Sequence, residues 1–398
     1  MRLSLLASVV ALGACVEHRG PITGTQSLQI DLVSPADPGS IDVRLPDGAR
    51  AVTASVTALG PDGQIDATFH NTVQVYAQYL GTLTPYFGGA PLATVNMTAG
   101  KGMVSLMLPA AFGPTTLWFD DGADSDATYA TGVSPTLWYR DPFIADLRTP
   151  ISETGVGAFE VGPVDGKNVA VNASRFGARG RLVITSVYAQ GYTLSDVQCA
   201  DTSGTPPCTF QPQPSGVLGY DSIDIYSYSA PLDQQKRFLN EGQTTDGFAG
   251  GVSEFDGLLE IGFPQTFVGC NTGDANCPDV NKAREPAPVV FDATWFTTTI
   301  LFKRNESNMI EVDNAIVCPL DSDYASYKQW KLDPSGVGGA NCSGKNLINV
   351  ISTGIALDPS TLVGKTIPRV VGNERSVNIA SFHVWIIYPR GLSDFTLP

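Results

Sequence analysis

The sequence predicts an all-β protein, and three observations carry that expectation. Apolar and polar residues alternate in short runs at 28–33, 52–58, 73–77, 93–98 and 103–108, and again at 222–228, and residues 181–188 and 191–196 read as further strands. A period of two places every second side chain on the same face of a strand. Turn-forming clusters separate the runs, among them Pro-Asp-Gly at 61–63, Gly-Gly at 88–89 and Ala-Gly-Lys-Gly at 99–102. With 41 Gly, 28 Pro and only 16% charged residues, the chain is rich in turns, and no stretch sustains a 3.6-residue apolar period.

Taken in order, the first element is an export signal. Met1-Arg2 supplies a short positive region, residues 3–12 an uncharged apolar run, and Gly13-Ala14 small residues before Cys15. The run is shorter than the ~20 apolar residues that span a bilayer. Leu12-Gly13-Ala14-Cys15 resembles the lipobox of bacterial lipoproteins. That resemblance implies cleavage before Cys15, diacylation of its thiol and acylation (palmitate) of the new amine. Two or three chains anchor stably, since each buried CH₂ contributes ~0.8 kcal/mol. Val16, rather than Asp, follows the cysteine, which implies the outer membrane or cell surface as destination. Residues 15–26 read as the lipidated cysteine and a tether.

From residue 27 to 120 the alternating runs read as a β-sandwich. The segment 58–66 (Ala-Leu-Gly-Pro-Asp-Gly-Gln-Ile-Asp) resembles the strand-turn-strand of bacterial Ig-like domains. Residues 120–127 form an acidic loop in which Asp120, Asp124 and Asp126 are Ca²⁺ candidates, because alternate aspartates present oxygens to one hard cation. The bidentate Glu of an EF-hand is missing, and a solvated loop is the alternative. Residues 121–168 read as a connecting strand and linker.

The remaining chain divides at a Pro-containing break near 283–288 into modules at 169–282 and 283–398. Gly251-Val252-Ser253-Glu254-Phe255-Asp256-Gly257 with Glu260-Ile261, the strand at 306–317, Trp330, and the segment 385–394 ending in Arg390 and Asp394 carry a pattern. It resembles the OB-type modules of secreted bacterial nucleases. The resemblance implies two OB-like β-barrels, with Arg390 and Asp394 as a structural ion pair. The family's catalytic domain would follow beyond Pro398, so the fold is implied and the activity is not.

Six cysteines remain after Cys15. Cys199 and Cys208, Cys270 and Cys277, and Cys318 and Cys342 each bracket a turn-rich loop, which favours three sequential disulfides in an oxidising compartment. Other connectivities stay open. A zinc site lacks CxxC spacing and a nearby His.

The net charge of −15, with neither half basic, disfavours nucleic acid, whose binding rests on Lys and Arg at phosphates. A local patch at Arg175, Arg179 and Arg181 is the exception. No HExxH, G-x-S-x-G, Walker or GxGxxG motif occurs. His18, His70 and His383 are scattered, and no cofactor is expected. Two constellations remain: the carboxylates Glu254 and Glu260 near one hairpin, with strand-end or solvent-facing roles as the alternative, and the aromatics Tyr220, Tyr226, Tyr228 and Phe255 as a binding face, with core or surface packing as the alternative.

The function expected is that of a non-catalytic, membrane-anchored surface lipoprotein acting in adhesion, surface scaffolding or capture of a protein, peptide or glycan. Such a chain should lack a cleft of desolvated acids with raised pKa. The alternative is a divergent or accessory module of a secreted hydrolase.

Overall fold

The computed structural model describes residues 24–46, 50–78, 91–108, 112–122, 130–150, 153, 164–198, 219–269, 280, 282–336, 342–343, 346–379 and 382–398. The fold is all-β, as the alternation predicts, with three short α-helices among the described residues. Among the described residues no helix is long and apolar enough to cross a membrane.

The first unit is a pair of sheets. Strands β1 (Ser27–Ser34), β2 (Ala51–Leu59), β3 (Thr72–Gln78), β4 (Ala93–Asn96), β5 (Lys101–Met107), β6 (Pro114–Asp120), β7 (Thr131–Val133) and β8 (Leu137–Trp138) build it. One sheet runs β1-β2-β5; the other runs β4-β3-β6-β7, with β8 beside β6. In β2 the inward set is Val52, Ala54, Val56 and Ala58, and it meets Val73, Val75, Leu117 and Phe119 in one core. Gly132 lets β7 lie close on β1, since a Cβ there would sit 2.1 Å from the Leu28 carbonyl oxygen.

This unit does not end at residue 120. Ala130, Leu137 and Tyr139 belong to its core, so the first unit takes in these described residues of the segment 121–168. β7 and β8 are too short for alternation to show. The next segment, α1 (Ile144–Arg148), sends Ile144 and Leu147 into the following core.

The second unit comprises β9 (Asn168–Val171), β10 (Gly180–Tyr188), β11 (Gly191–Gln198), β12 (Ser222–Tyr226), β13 (Thr244–Thr245), β14 (Gly247–Phe255) and β15 (Leu258–Phe267). β10, β11 and β12 form an antiparallel meander; β12 pairs parallel to β15, and β15 antiparallel to β14. Only Asp246 separates β14 from β13, which pairs with β10 and closes the ring. Tyr192, Leu194, Ile223, Phe248 and Ile261 fill it.

The third unit repeats that order. Its elements are β16 (Val289–Val290), α2 (Ile300–Asn305), β17 (Met309–Val317), α3 (Ser322–Tyr327), β18 (Gln329–Asp333), β19 (Ile348–Ile351), β20 (Thr366–Ile379), β21 (Phe382–Tyr388) and β22 (Phe395–Thr396). β17-β18-β19 is the meander, β19 pairs parallel to β21, and β20 lies between β21 and β17. Trp330, Val312, Leu332, Val350 and Val370 form the core, and Phe302 stacks on Trp385 at 4.4 Å. Cys318 and Cys342 are joined by a disulfide.

A buried polar seam joins the two barrels. Arg148 is wholly buried and donates to the carbonyls of Ser222, Glu306 (2.6 Å) and Lys303 (2.7 Å), while its guanidinium pairs with the Glu306 carboxylate at 3.2 Å. Lys303 reaches Glu306 at 3.2 Å and Glu254 at 3.3 Å. The tip of β20 leans on the β14–β15 turn: Ser376 Oγ donates to the Gly257 carbonyl at 2.6 Å, and the Asn378 amide to that of Asp256. Burial pushes the Glu374 carboxyl well up, and the negative charge of Glu306 adds to this while Arg148 and Lys303 oppose it.

Candidate ligand cleft at the barrel seam

The cleft is built from one hairpin upward. Phe255 pairs with Leu258, leaving Asp256-Gly257 as a two-residue turn with φ of 51° and 88°. Positive φ at both positions is the geometry that Asp-Gly favours in hairpins, because it matches the strand twist. The turn holds Phe255 and Asp256 at the mouth. Farther along β15, Gly262 pairs with Gly251 and Gln265 with Ala249, so Phe263-Pro264 is an insertion opposite one residue. A bulge of this kind re-aims side chains, and proline tolerates it because no ladder donor is needed there.

The bulge sends Phe263 outward with φ of 51° and 80% of its surface exposed. Tyr228, just past β12, also has positive φ (60°) and is 52% exposed. Their rings stack at 4.7 Å, and Tyr226 meets Tyr228 edge-on at 4.5 Å. Bulky residues adopt this backbone region at a cost, and such strain clusters at binding sites.

Beside these rings lies a cavity of about 470 Å³. Tyr226, Tyr228, Phe255, Asp256 and Glu260 come from the second unit; Arg375, Ser376 and Tyr388 come from the third. Glu260 sits in register with Asp224 across the parallel pair. Burial pushes its carboxyl up to about 7; the negative charges of Asp224 and Asp256 add to this and Arg375 opposes it. Asp224 is fully buried and likewise raised by burial, with Arg375 at 2.9 Å opposing. Tyr188 donates to Asp224 at 2.5 Å. The Arg375 guanidinium lies 4.2 Å from the Tyr188 ring and 5.0 Å from that of Tyr388. The site therefore offers exposed ring faces, one acid that titrates near neutrality, and a cation already paired behind it.

The structure brings Tyr226, Tyr228, Phe255 and Glu260 together and leaves other expected residues apart. Tyr220 donates to Glu153 at 2.7 Å and does not line the cleft. Glu254 and Glu260 do not form a pair. Ser253 is the residue opposite Glu260, so the pleat turns Glu254 to the other face, toward Lys303. Arg175 pairs with Asp221, and Arg181 donates to the carbonyls of Ala178 and Gly180, so those guanidiniums are engaged within the fold. Arg390 pairs with Asp394 at 3.0 Å and donates to the Thr185 carbonyl of the neighbouring barrel.

Asp120 is buried at the end of β6 and accepts from the Gly122 amide at 2.7 Å, while Asp124 and Asp126 lie outside the described residues. No group of three or more metal-binding side chains occurs among the described residues. Cys15, Cys199, Cys208, Cys270 and Cys277 also lie outside them. His70 is in a loop, and His383 is exposed on β21.

Sequence reasoning missed Phe263, Asp256, Arg375 and Tyr388. Two of these had a local signal: Asp256-Gly257 is a hairpin dipeptide, and Pro264 inside a strand pattern marks a bulge. Arg375 and Tyr388 arrive from another barrel, which no local pattern reports. No protein-family model, curated protein or solved structure matches the chain.

Proposed function

We propose that this chain is a non-catalytic bacterial surface lipoprotein, anchored through Cys15, that captures a ligand in the cleft between its two barrels. The observation that carries the reading is the stacked Tyr228–Phe263 pair, held exposed on a strained backbone at the cleft mouth. Large exposed rings rimmed by polar groups mark binding surfaces. The lipobox-like Leu12-Gly13-Ala14-Cys15 and the Cys318–Cys342 disulfide favour an exported, anchored chain. The ring order of the barrels favours the OB-like reading, since that fold is a small Greek-key barrel whose loops hold ligands.

The test is capture from surface extracts by the soluble 16–398 fragment, compared with the same fragment carrying Phe263→Ala and Tyr228→Ala. A species retained by the parent and lost from the double variant supports the cleft. Equal retention by both refutes it.

Glu260 favours a second reading, a divergent or accessory hydrolase. A cleft carboxyl held near 7 departs from what a purely non-catalytic chain is expected to show, because perturbed acids gather at catalytic sites. Turnover of plasmid DNA with Mg²⁺ or Ca²⁺ that Glu260→Gln abolishes would establish it and displace the first reading.

A further inference from the structure

The cleft has a neighbour. A second cavity of about 440 Å³ is lined by Ser227, Ser229, Asp233, Gln234, Lys236 and Gln265, with Pro264 at its edge. The two cavities draw on neighbouring residues of the same two segments. Tyr226 and Tyr228 line the first, and the intervening Ser227 with Ser229 lines the second. The same interlocking holds on β15, where Leu258 and Glu260 face the first cavity and Pro264, Gln265 and Thr266 the second. Tyr228 lines the first hollow, and Phe263, stacked on it, adjoins Pro264 of the second, so the stacked pair stands as a ridge where the two sets of lining residues meet.

Resting on the capture reading above, we propose that the two hollows are subsites of one groove that takes a neutral oligosaccharide, threaded across the Tyr228–Phe263 ridge.

Chemistry on both sides of the ridge favours that class. A sugar ring presents an apolar C–H face and a rim of hydroxyls. The ridge offers aromatic faces for the first, and Ser227, Ser229, Gln265, Glu260 and Asp256 offer hydroxyl, amide and carboxylate partners for the second. A cationic peptide finds less. Asp233 is already held by Arg237 at 2.7 Å and Asp224 by Arg375 at 2.9 Å. A polyanion meets a chain of net charge −15. Each hollow lies within the ~300–1,000 Å³ range of small-ligand sites, so two in series suit a ligand of several rings rather than one.

The experiment uses the 16–398 protein and a panel of neutral gluco-, manno-, galacto- and N-acetylglucosamine oligosaccharides of one to five units, titrated calorimetrically. For the best-bound series, affinity should rise at least tenfold between the disaccharide and the tetrasaccharide. Gln265→Ala, exposed in the second hollow, should weaken the tetrasaccharide several-fold and leave the disaccharide unchanged. Phe263→Ala should weaken both by ~3–10-fold, the range of one aromatic contact. Its folding is checked by its melting curve. Affinity independent of length, with the Phe263→Ala loss retained, overturns the extended groove and leaves the capture cleft standing. Absence of binding across the panel overturns the oligosaccharide assignment, while the extract experiment judges the cleft separately.

Discussion

Glu260 shows how much one carboxyl depends on its surroundings. Its ordinary value is 4.5, and the fold raises it to about 7, chiefly by burial. A group whose folded pKa is raised binds its proton more tightly in the native chain than in the unfolded one. Its contribution to stability is therefore full below about pH 4.5 and is lost as pH rises through about 7. Asp256→Asn keeps an Asn-Gly turn and removes one of the charges that raise Glu260. The expected result is a lower Glu260 midpoint in a carboxyl NMR titration of the variant, and an unchanged midpoint would show that Asp256 is not felt. At the same scale, Arg148→Met leaves the Glu306 carboxylate buried without one of its partners. Removing one member of a buried pair costs about 3–5 kcal/mol, so chemical denaturation should show a loss of that order.

At the scale of elements, legibility followed length. β2 spans nine residues, and its alternation shows plainly in the sequence. β7 and β8 span three and two residues; their place in the first core is set by what they pack on, not by any period of their own. Half of the cleft was legible for a different reason, its place within one barrel. Tyr226, Tyr228, Phe255 and Glu260 lie on or beside neighbouring strands of the second unit, whereas Arg375 and Tyr388 come from β20 and β21 of the third. The pairing of Glu254 with Glu260 failed because closeness in sequence says nothing of face until the register is known. Gly132 offers a check on the unforeseen β7. An alanine there drives its methyl into the Leu28 carbonyl, and overpacking of this kind costs ~1–3 kcal/mol. Gly132→Ala should lower the melting transition of the sandwich and leave that of the barrels in place; a uniform shift of both would contradict it.

At the scale of the whole molecule, the resemblance implied two like modules, but the strand order that the two barrels share is not written in any local pattern. The pairings that close each ring, β12 with β15 and β19 with β21, join residues more than thirty positions apart. The disulfide ties part of the second ring together across a separation of 24 residues. Replacing Cys318 and Cys342 together by Ala should cost ~2–4 kcal/mol, read as a lower unfolding midpoint of the third unit. The anchor has its own test. Cys15→Ser should move the protein from the detergent phase to the aqueous phase; persistence in detergent would refute lipidation at that site.

The seam also bears on how the two barrels can be handled. Arg148 is donated from upstream of both, and it pairs with Glu306 across the joint as Lys303 does with Glu254. A gene cut near residue 283 would leave each half with stranded ions on a freshly exposed face. The barrels look like interchangeable beads, yet the smallest portable cassette begins before Arg148 and carries both of them.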